Sequence, residues 1–311
     1  MSTASLSEGA KPKKLGLLRK IWRVRQAYFF LIPVFAVLGT FKYGPLVVAV
    51  QKSFFDWNGA NVDRFVGFAN YAKVLHDASF RGSIGHALAL TAGALAETLT
   101  LPLLAAVLVF HIRRRRLAEW VRVLFIVPLI VPALVVIKIW TWVYASQNGI
   151  LNSLLELVGL DGWTHAWLGE SGTSLWALVL YNFPWIGGIY FLIYLAGLLN
   201  IKAELFESGS LDGMGVWQRF RYLELPLIRG QIRLVALLVV IGQLQNFELP
   251  LILTGGGPGE SSLTPALYLY DRAFTYNEMG YASALGMVLC VGILIVTQAI
   301  QKVFKSSETS G

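Results

Sequence analysis

Charge is scarce in this chain. Only 14% of its 311 residues are Asp, Glu, Lys or Arg, against 56% hydrophobic, where a soluble domain carries about 25% charged residues. A water-soluble globular domain is excluded, and a mean hydropathy of +0.60 agrees. Cysteine is nearly absent. Cys290 is the single one, so no intrachain disulfide can form, and its apolar surroundings read as those of a small buried hydrophobe. Four histidines (His76, His86, His111, His165) are scattered without metal-ligand spacing, which leaves an integral-membrane enzyme without a clustered catalytic set. No lysine follows a glycine anywhere, so a phosphate-cradling P-loop is excluded.

What is present is long apolar runs. A spanning helix needs roughly 20 apolar residues, and six candidates are found, about 27–50, 84–110, 121–145, 172–196, 231–254 and 280–303. The expected class is an all-α, polytopic membrane protein. Ten tryptophans suit two interfacial belts. The second run contains Pro102 and is expected to tilt or kink. Gln243, Gln245, Asn246 and Glu248 interrupt the fifth.

The net charge is +8, but the basic residues sit in short segments between apolar runs, so topology explains them and nucleic acid is not an expected partner. The 1–26 tail carries Lys11, Lys13, Lys14, Arg19, Lys20, Arg23 and Arg25. The apolar run after it is too long for a signal peptide core, so the tail reads as retained. Arg113–Arg116 follow the second run; Lys202, Arg219, Arg221 and Arg229 follow the fourth; Lys302 and Lys305 close the chain before a short 306–311 tail. The 146–171 segment has no Lys or Arg, and 255–279 has only Arg272. Both termini and the 111–120 and 197–230 segments are therefore expected in the cytoplasm. Lys138 reads as snorkelling to an interface, and His86 as interfacial. Glu97, near the middle of the second run, is about 2.5–3.5 kcal/mol unfavourable in a bilayer. It reads either as a structural hydrogen-bonding group or as part of a transport path.

The 197–230 segment carries the most information. Residues 202–209 are expected to be helical, Asp212-Gly213 marks a turn, and a second short helix is expected over 215–223, ended by Pro226. The result is a helix–turn–helix protrusion with small residues that admit a close partner. Its spacing reads Glu207-Ser208-Gly209, three residues, Gly213, nine residues, Leu223, Glu224, Leu225-Pro226. This resembles the EAA loop of binding-protein-dependent ABC importer membrane subunits, with Ser208-Gly209 in place of Ala-Ala and Leu223 in place of Ile. Two further stretches resemble the maltose-type sugar permeases. One is Ser53-Phe54-Phe55-Asp56-Trp57 with Phe65-Val66-Gly67-Phe68-Ala69-Asn70-Tyr71. The other is Leu253-Thr254-Gly255-Gly256-Gly257-Pro258, with Ala273-Phe274 and Gly280-Tyr281-Ala282-Ser283-Ala284 beyond it.

The resemblance covers about 28–305 and implies a type I ABC importer permease over 27–305, in a bacterial or archaeal cytoplasmic membrane. It implies that the loop is a coupling helix docking on an ATPase subunit through Glu204, Phe206, Glu207, Ser208, Gly209, Asp212, Gly213 and Pro226. It also implies a homologous second permease, two ATP-binding subunits holding ATP and Mg, an extracytoplasmic solute-binding protein and a carbohydrate solute. This chain itself needs no cofactor or metal and breaks no covalent bond.

A soluble sugar needs carboxamides and aromatic faces inside the membrane. Gln243, Asn246 and Pro250 fall at i, i+3, i+7, one face of a helix, with Gln245 and Glu248 beside them. Asn182 and Trp185 are spaced i, i+3 in the fourth run. By the resemblance, Asn182, Gln243 and Asn246 occupy contacting positions. The plain alternative is hydrogen bonding between helices, at about 0.6 kcal/mol each. A second function class, an ion-coupled secondary transporter, would be expected to show internal repeats, with Glu97 or Glu248 as ion ligands.

Overall fold

The computed structural model describes Trp22, residues 25–184 and residues 187–309. The basic tail lies almost wholly outside the described residues, and so does Trp185. The chain divides into two units, 1–51 and 52–311. In the first, Arg25–Leu38 runs through a π-helical turn, Gly39–Tyr43, into Gly44–Lys52. Its side chains are bare: Phe30 is 78% and Phe41 77% exposed.

Prolines decide where the other apolar runs break. A proline inside a helix removes one amide and collides with the carbonyl four residues back. The second run is therefore two helices, Ala78–Thr98 and Leu101–Phe110, parted one turn before Pro102. The third is not the single 121–145 helix expected. Arg115–Ile126 passes through a 3-10 turn, Val127–Ile130, and stops at Pro132, after which Ala133–Val143 leaves at 91°. The expected 172–196 helix is also two pieces, Ser174–Val179 and Gly188–Leu199, with Pro184 and a left-handed Asn182 (φ 70°) between them. The fifth is Arg229–Leu244 and Glu248–Leu253, parted one turn before Pro250. Pro45 and Pro226 each follow a π-helical turn, Gly39–Tyr43 and Phe220–Glu224, whose wider spacing admits the ring. The last helix, Met279–Thr309, is unbroken and takes in most of the expected 306–311 tail.

By length and composition, three described helices can cross a membrane: Phe29–Lys52, Ala78–Phe110 and Met279–Lys302. Three bent pairs pass the same test together, giving up to six spans.

Among lipid tails the hydrophobic effect does not drive helices together, so close contact must hold them. Leu101–Phe110, Gly188–Leu199 and Arg229–Leu244 enclose the main core. There Ala106, Phe191, Tyr194, Leu198, Ile228 and Val235 are fully buried. A Cβ at Gly197 would press on Gln231 at 2.7 Å. Hydroxyls in the helices return to their own backbone: Thr91, Thr98 and Thr297 donate to carbonyls four residues back at 2.6–2.8 Å. Cys290 is exposed rather than buried, because little of this last helix is covered within the chain.

One end of the 52–311 unit is capped by a two-stranded antiparallel hairpin, Phe55–Trp57 with Asp63–Phe65. Asn70 donates to the carbonyls of Ser53 and Phe55, both at 2.9 Å. Gly280 lets the last helix lie directly against Phe55, where any Cβ would collide with backbone. The motifs around 53–71 and 280–284 thus build one cap. Its centre is Asp77, which caps the Ala78–Thr98 helix through the Phe80 amide (3.0 Å) and accepts from Tyr268 (2.5 Å) and Tyr281 (2.6 Å). Arg272 lies over the Tyr268 ring and reaches Glu278, which also pairs with Lys73 at 3.1 Å.

Burial tends to raise the Asp77 carboxyl, but the hydrogen bonds from Tyr268, Tyr281 and Phe80, with the Arg272 charge, outweigh it and hold the group below its ordinary value. A carboxyl held low contributes stability that is complete above its unfolded value, about 3.9, and is lost as pH falls through the folded value. Asp77→Ala is expected to cost about 0.5–2 kcal/mol, the range for a lost helix cap. It should also flatten the fall in melting temperature below about pH 5. Melting curves across pH test this, and an unaltered acid limb would contradict it.

Candidate functional site

At the end opposite the hairpin cap, Ala203–Leu211 begins after Lys202 and carries Glu204 in its first turn, where an acidic group suits the helix dipole. The helix closes on a Schellman turn. Met214 N–H donates to Gly209 O (2.9 Å) and Gly213 N–H to Ser210 O (3.2 Å). The turn requires a left-handed residue, and Gly213 supplies it at φ 74°. Gly209 is buried against Met214. The expected second helix is shorter than 215–223: Val216–Arg219 passes into the π-helical Phe220–Glu224. Pro226 does not end it. It sits in the first turn of Leu225–Leu227, where its missing amide costs nothing.

Arg219 joins the two arms, donating to Ser210 Oγ at 2.9 Å and lying 5.9 Å from the Phe206 ring. Glu204, Glu207, Ser208, Asp212 and Gly213 are exposed. Beside them Leu211 is 90% and Val216 78% exposed, with Trp217 also bare. Apolar side chains on a protruding turn, set among polar ones, mark an interaction surface. Of the expected docking residues, Phe206 and Gly209 face inward and position the arm, Pro226 is half-buried where the loop returns to the bundle, and Glu204, Glu207, Ser208, Asp212 and Gly213 face out.

The second site lies where the fourth and fifth runs break. Leu178, Leu249, Leu253 and Ile137 share one buried cluster, which brings the 180–187 and 245–247 breaks to its flanks. Glu248 interacts electrostatically with Tyr181, next to Asn182. Asn182 lines a cavity of about 240 Å³ with Pro128, Val136, Gly187 and Gly188. Gln245 lines a different one of about 420 Å³, against the last helix.

The helical-face argument for Gln243, Asn246 and Pro250 fails, because the helix stops between the first and the last. Much of the polarity there serves the break itself. Asn246 Oδ1 accepts from the Leu249 amide (3.2 Å), Gln245 donates to Ile241 O (3.1 Å), and Thr264 donates to Asn246 O (3.3 Å). The contact between Asn246 and Gln243 is long, at 3.5 Å.

Glu97 is half-buried at the end of Ala78–Thr98; its backbone carbonyl accepts from Thr100 (3.1 Å), while its carboxyl makes no hydrogen bond or ion pair among the described residues. A structural hydrogen bond from its side chain is not made among the described residues. His86 does find a partner, the Leu263 carbonyl at 2.8 Å. A larger cavity, about 470 Å³, is lined by Trp140, Trp163, Trp167, Trp176 and Phe183 but offers almost no hydrogen-bonding group, so it does not suit a polyhydroxylated solute. The sequence reading missed Glu224. It is fully buried in the second arm, 2.9 Å from the His111 ring. The two lie 113 residues apart, and no local pattern links them.

The family described as binding-protein-dependent transport system inner membrane component matches residues 98–307. The chain is 30% identical over 283 residues to a probable ABC transporter permease protein, YurN, of Bacillus subtilis (strain 168), covering 90% of this chain and 96% of that one. It is 31% identical over 302 residues to the diacetylchitobiose uptake system permease protein NgcF of Streptomyces coelicolor, covering 93% and 84%. A solved bacterial ABC transporter involved in the import of the acidic polysaccharide alginate contains a chain of similar fold. The TM-score is 0.79, with 20% identity over 93% of this chain and 98% of that one.

Any side chain at position 213 meets the left-handed penalty. Gly213→Val is expected to cost about 1–2 kcal/mol at the turn. Faster amide exchange at position 213 and at Met214, with the bundle unchanged, is the expected reading; unchanged protection would contradict it.

Proposed function

The chain belongs to the binding-protein-dependent transport system inner membrane components, and from that membership we propose that it is one of two homologous permease subunits of an ATP-driven importer for a carbohydrate. It is a transport component rather than an enzyme. In this reading six spans cross the cytoplasmic membrane with both termini inside. The arginine-rich 111–120 and 197–230 segments then face the cytoplasm, in keeping with the positive-inside rule. The permease domain runs over 27–305.

The observation that carries the reading is the protruding arm. Leu211, Val216 and Trp217 stand bare beside Glu204, Glu207 and Ser208 on a turn locked by Gly213. Apolar groups exposed to water need a partner. The chain lacks a P-loop, so ATP and Mg belong to two separate ATP-binding subunits on which this arm docks. Pro226 opens the short Leu225–Leu227 turn that returns the arm to the bundle after the π-helical Phe220–Glu224. When ATP closes those subunits, the arms move, and the broken helices rock between outward and inward access.

The solute reading rests on relatives. NgcF is named for diacetylchitobiose uptake, AmyD of Thermoanaerobacterium thermosulfurigenes for starch degradation products, and AraP of Bacillus subtilis for arabinooligosaccharides. A solved alginate transporter in complex with its oligosaccharide-bound periplasmic protein supports delivery by an extracytoplasmic binding protein. The hairpin cap, on the opposite end from the arm, is the surface for it. Asn182, Gln243, Gln245, Asn246 and Glu248, beside the helix breaks, form the proposed path, to which the sequence adds Trp185. Broken backbone within a membrane is tolerated where it is packed in protein or lines a cavity.

Two outcomes test this. Leu211→Glu with Trp217→Glu is expected to lose the ATP-binding subunits on purification while the permease pair stays intact; full retention would contradict the docking surface. Gln243→Ala with Asn246→Ala is expected to lower ATP-driven uptake of labelled oligosaccharides about tenfold or more, in line with a transition-state cost of 1.4 kcal/mol, with the complex assembled. Unchanged uptake would remove these residues from the path.

A further inference from the structure

Both arms of the protruding loop are fastened to one corner of the bundle, Phe110 and His111, which Ile112 separates from the Arg113–Arg116 run. Phe110, at the end of Leu101–Phe110, packs its ring 5.6 Å from Phe206 of the first arm. His111, the next residue, places its ring 5.2 Å from that of Phe110 and lies 2.9 Å from Glu224 of the second arm, through Nε2. Glu224 has no exposed surface. Its other oxygen, Oε2, has no partner among the described residues.

A carboxylate enclosed in protein is costly unless paired, and a leucine of similar bulk would fill the space without that cost. The Nε2–H of His111 is its one described side-chain partner, so the bond between them is specific. The residues that close the linkage come from the two arms of the loop and from a helix end about a hundred residues earlier in the chain. Arg219 completes it on the loop side, joining Ser210 and Phe206 across the two arms. Glu224 is also the last residue of the π-helical turn before Pro226, so its backbone position is set by the same feature that returns the chain to the bundle.

We propose that the Phe110–His111 corner, through the His111–Glu224 hydrogen bond, clamps the loop to the end of the second span so that the two move as one body when ATP is bound. This rests on the reading of the loop as the docking arm for an ATP-binding subunit. His111 and Glu224 are positioning residues in it: they touch neither solute nor nucleotide. Their work is to keep displacement of the arm from being spent as slippage between the arm and the bundle. A packed, bistable contact transmits a movement in a way that a loose tether cannot.

The test uses the whole importer, purified through this chain in lipid discs, with Cys290→Ser and spin labels at the exposed Tyr222 in the loop, outside the docking tip, and at Leu104 in the second span. Pulsed dipolar spectroscopy reads the distance between them, with ATP and vanadate as the probe. With the clamp intact, the expected result is one narrow distance that stays constant when ATP and vanadate are added. In Glu224→Leu and in His111→Phe, which keep the space filled, the distribution is expected to broaden and shift on addition, and solute transported per ATP hydrolysed to fall about fivefold or more, the lower range for coupling between sites. Glu224→Gln, whose amide oxygen still accepts from Nε2–H, is expected to restore both readings. A distance that shifts in the unmodified clamp, or leucine and phenylalanine variants that behave like it, would overturn the proposal. An importer that hydrolyses ATP normally while giving that result loses the clamp alone; a chain that retains no ATP-binding subunit on purification loses the docking reading as well.

Discussion

A peptide group in hydrocarbon has no water to turn to, and this constraint shapes the rest of the structure. An unbroken helix satisfies it unaided, which is why Met279–Thr309 can leave so much of its surface uncovered by the chain. A broken helix does not. Each proline-induced break frees carbonyls and amides, and the chain answers with side chains from nearby. Thr100 returns to the Ala96 carbonyl, Asn246 accepts from Leu249, and Gln245 reaches back to Ile241. The breaks are therefore found where other elements pack around them. The same packing gives the molecule places that bend without exposing backbone to lipid.

The two ends are built differently around those bends. At the hairpin end, Asp77 gathers a helix N-terminus and two tyrosines, and Arg272, Glu278 and Lys73 extend the network. Many mutually dependent contacts make a rigid cap. At the arginine-rich end, the loop holds its shape through one Schellman turn and one arginine, and leaves its apolar tip bare. Under the proposed function, a cap that receives a delivered solute gains from rigidity. An arm that must follow a moving partner gains from a firm root and a free tip. The long separation in sequence between His111 and Glu224 gives that root a fixed point on the second span.

Much of this was legible in the residues before any fold was known. Hydropathy alone located the apolar runs, and the distribution of lysine and arginine sorted their connections into two ends. The structure keeps the same sorting: 69–86 meets 260–285, and 110–111 meets 206 and 224. The spacing from Glu207 to Pro226 marked the protruding arm, with Gly213 in its left-handed position. The breaks were less legible, because hydropathy counts a proline as apolar. Pro128, Pro132 and Pro184 lay in view within runs that otherwise looked continuous. For the same reason the polar cluster around Asn246 looked like one helical face, when part of it repairs the backbone before Pro250. The His111–Glu224 pair and the Asp77 hub depend on contacts across more than a hundred residues, and periodicity carries no trace of such contacts.

The central claim is that the arm at 203–213 lies on the cytoplasmic side and seats in an ATP-binding subunit. A photoreactive amino acid at Leu211, activated in intact membranes, tests it most directly. The expected result is a crosslinked adduct that contains a nucleotide-binding polypeptide, in a yield that changes when ATP and vanadate are added. An adduct only with lipid, or with a protein that approaches from outside the cell, would contradict it.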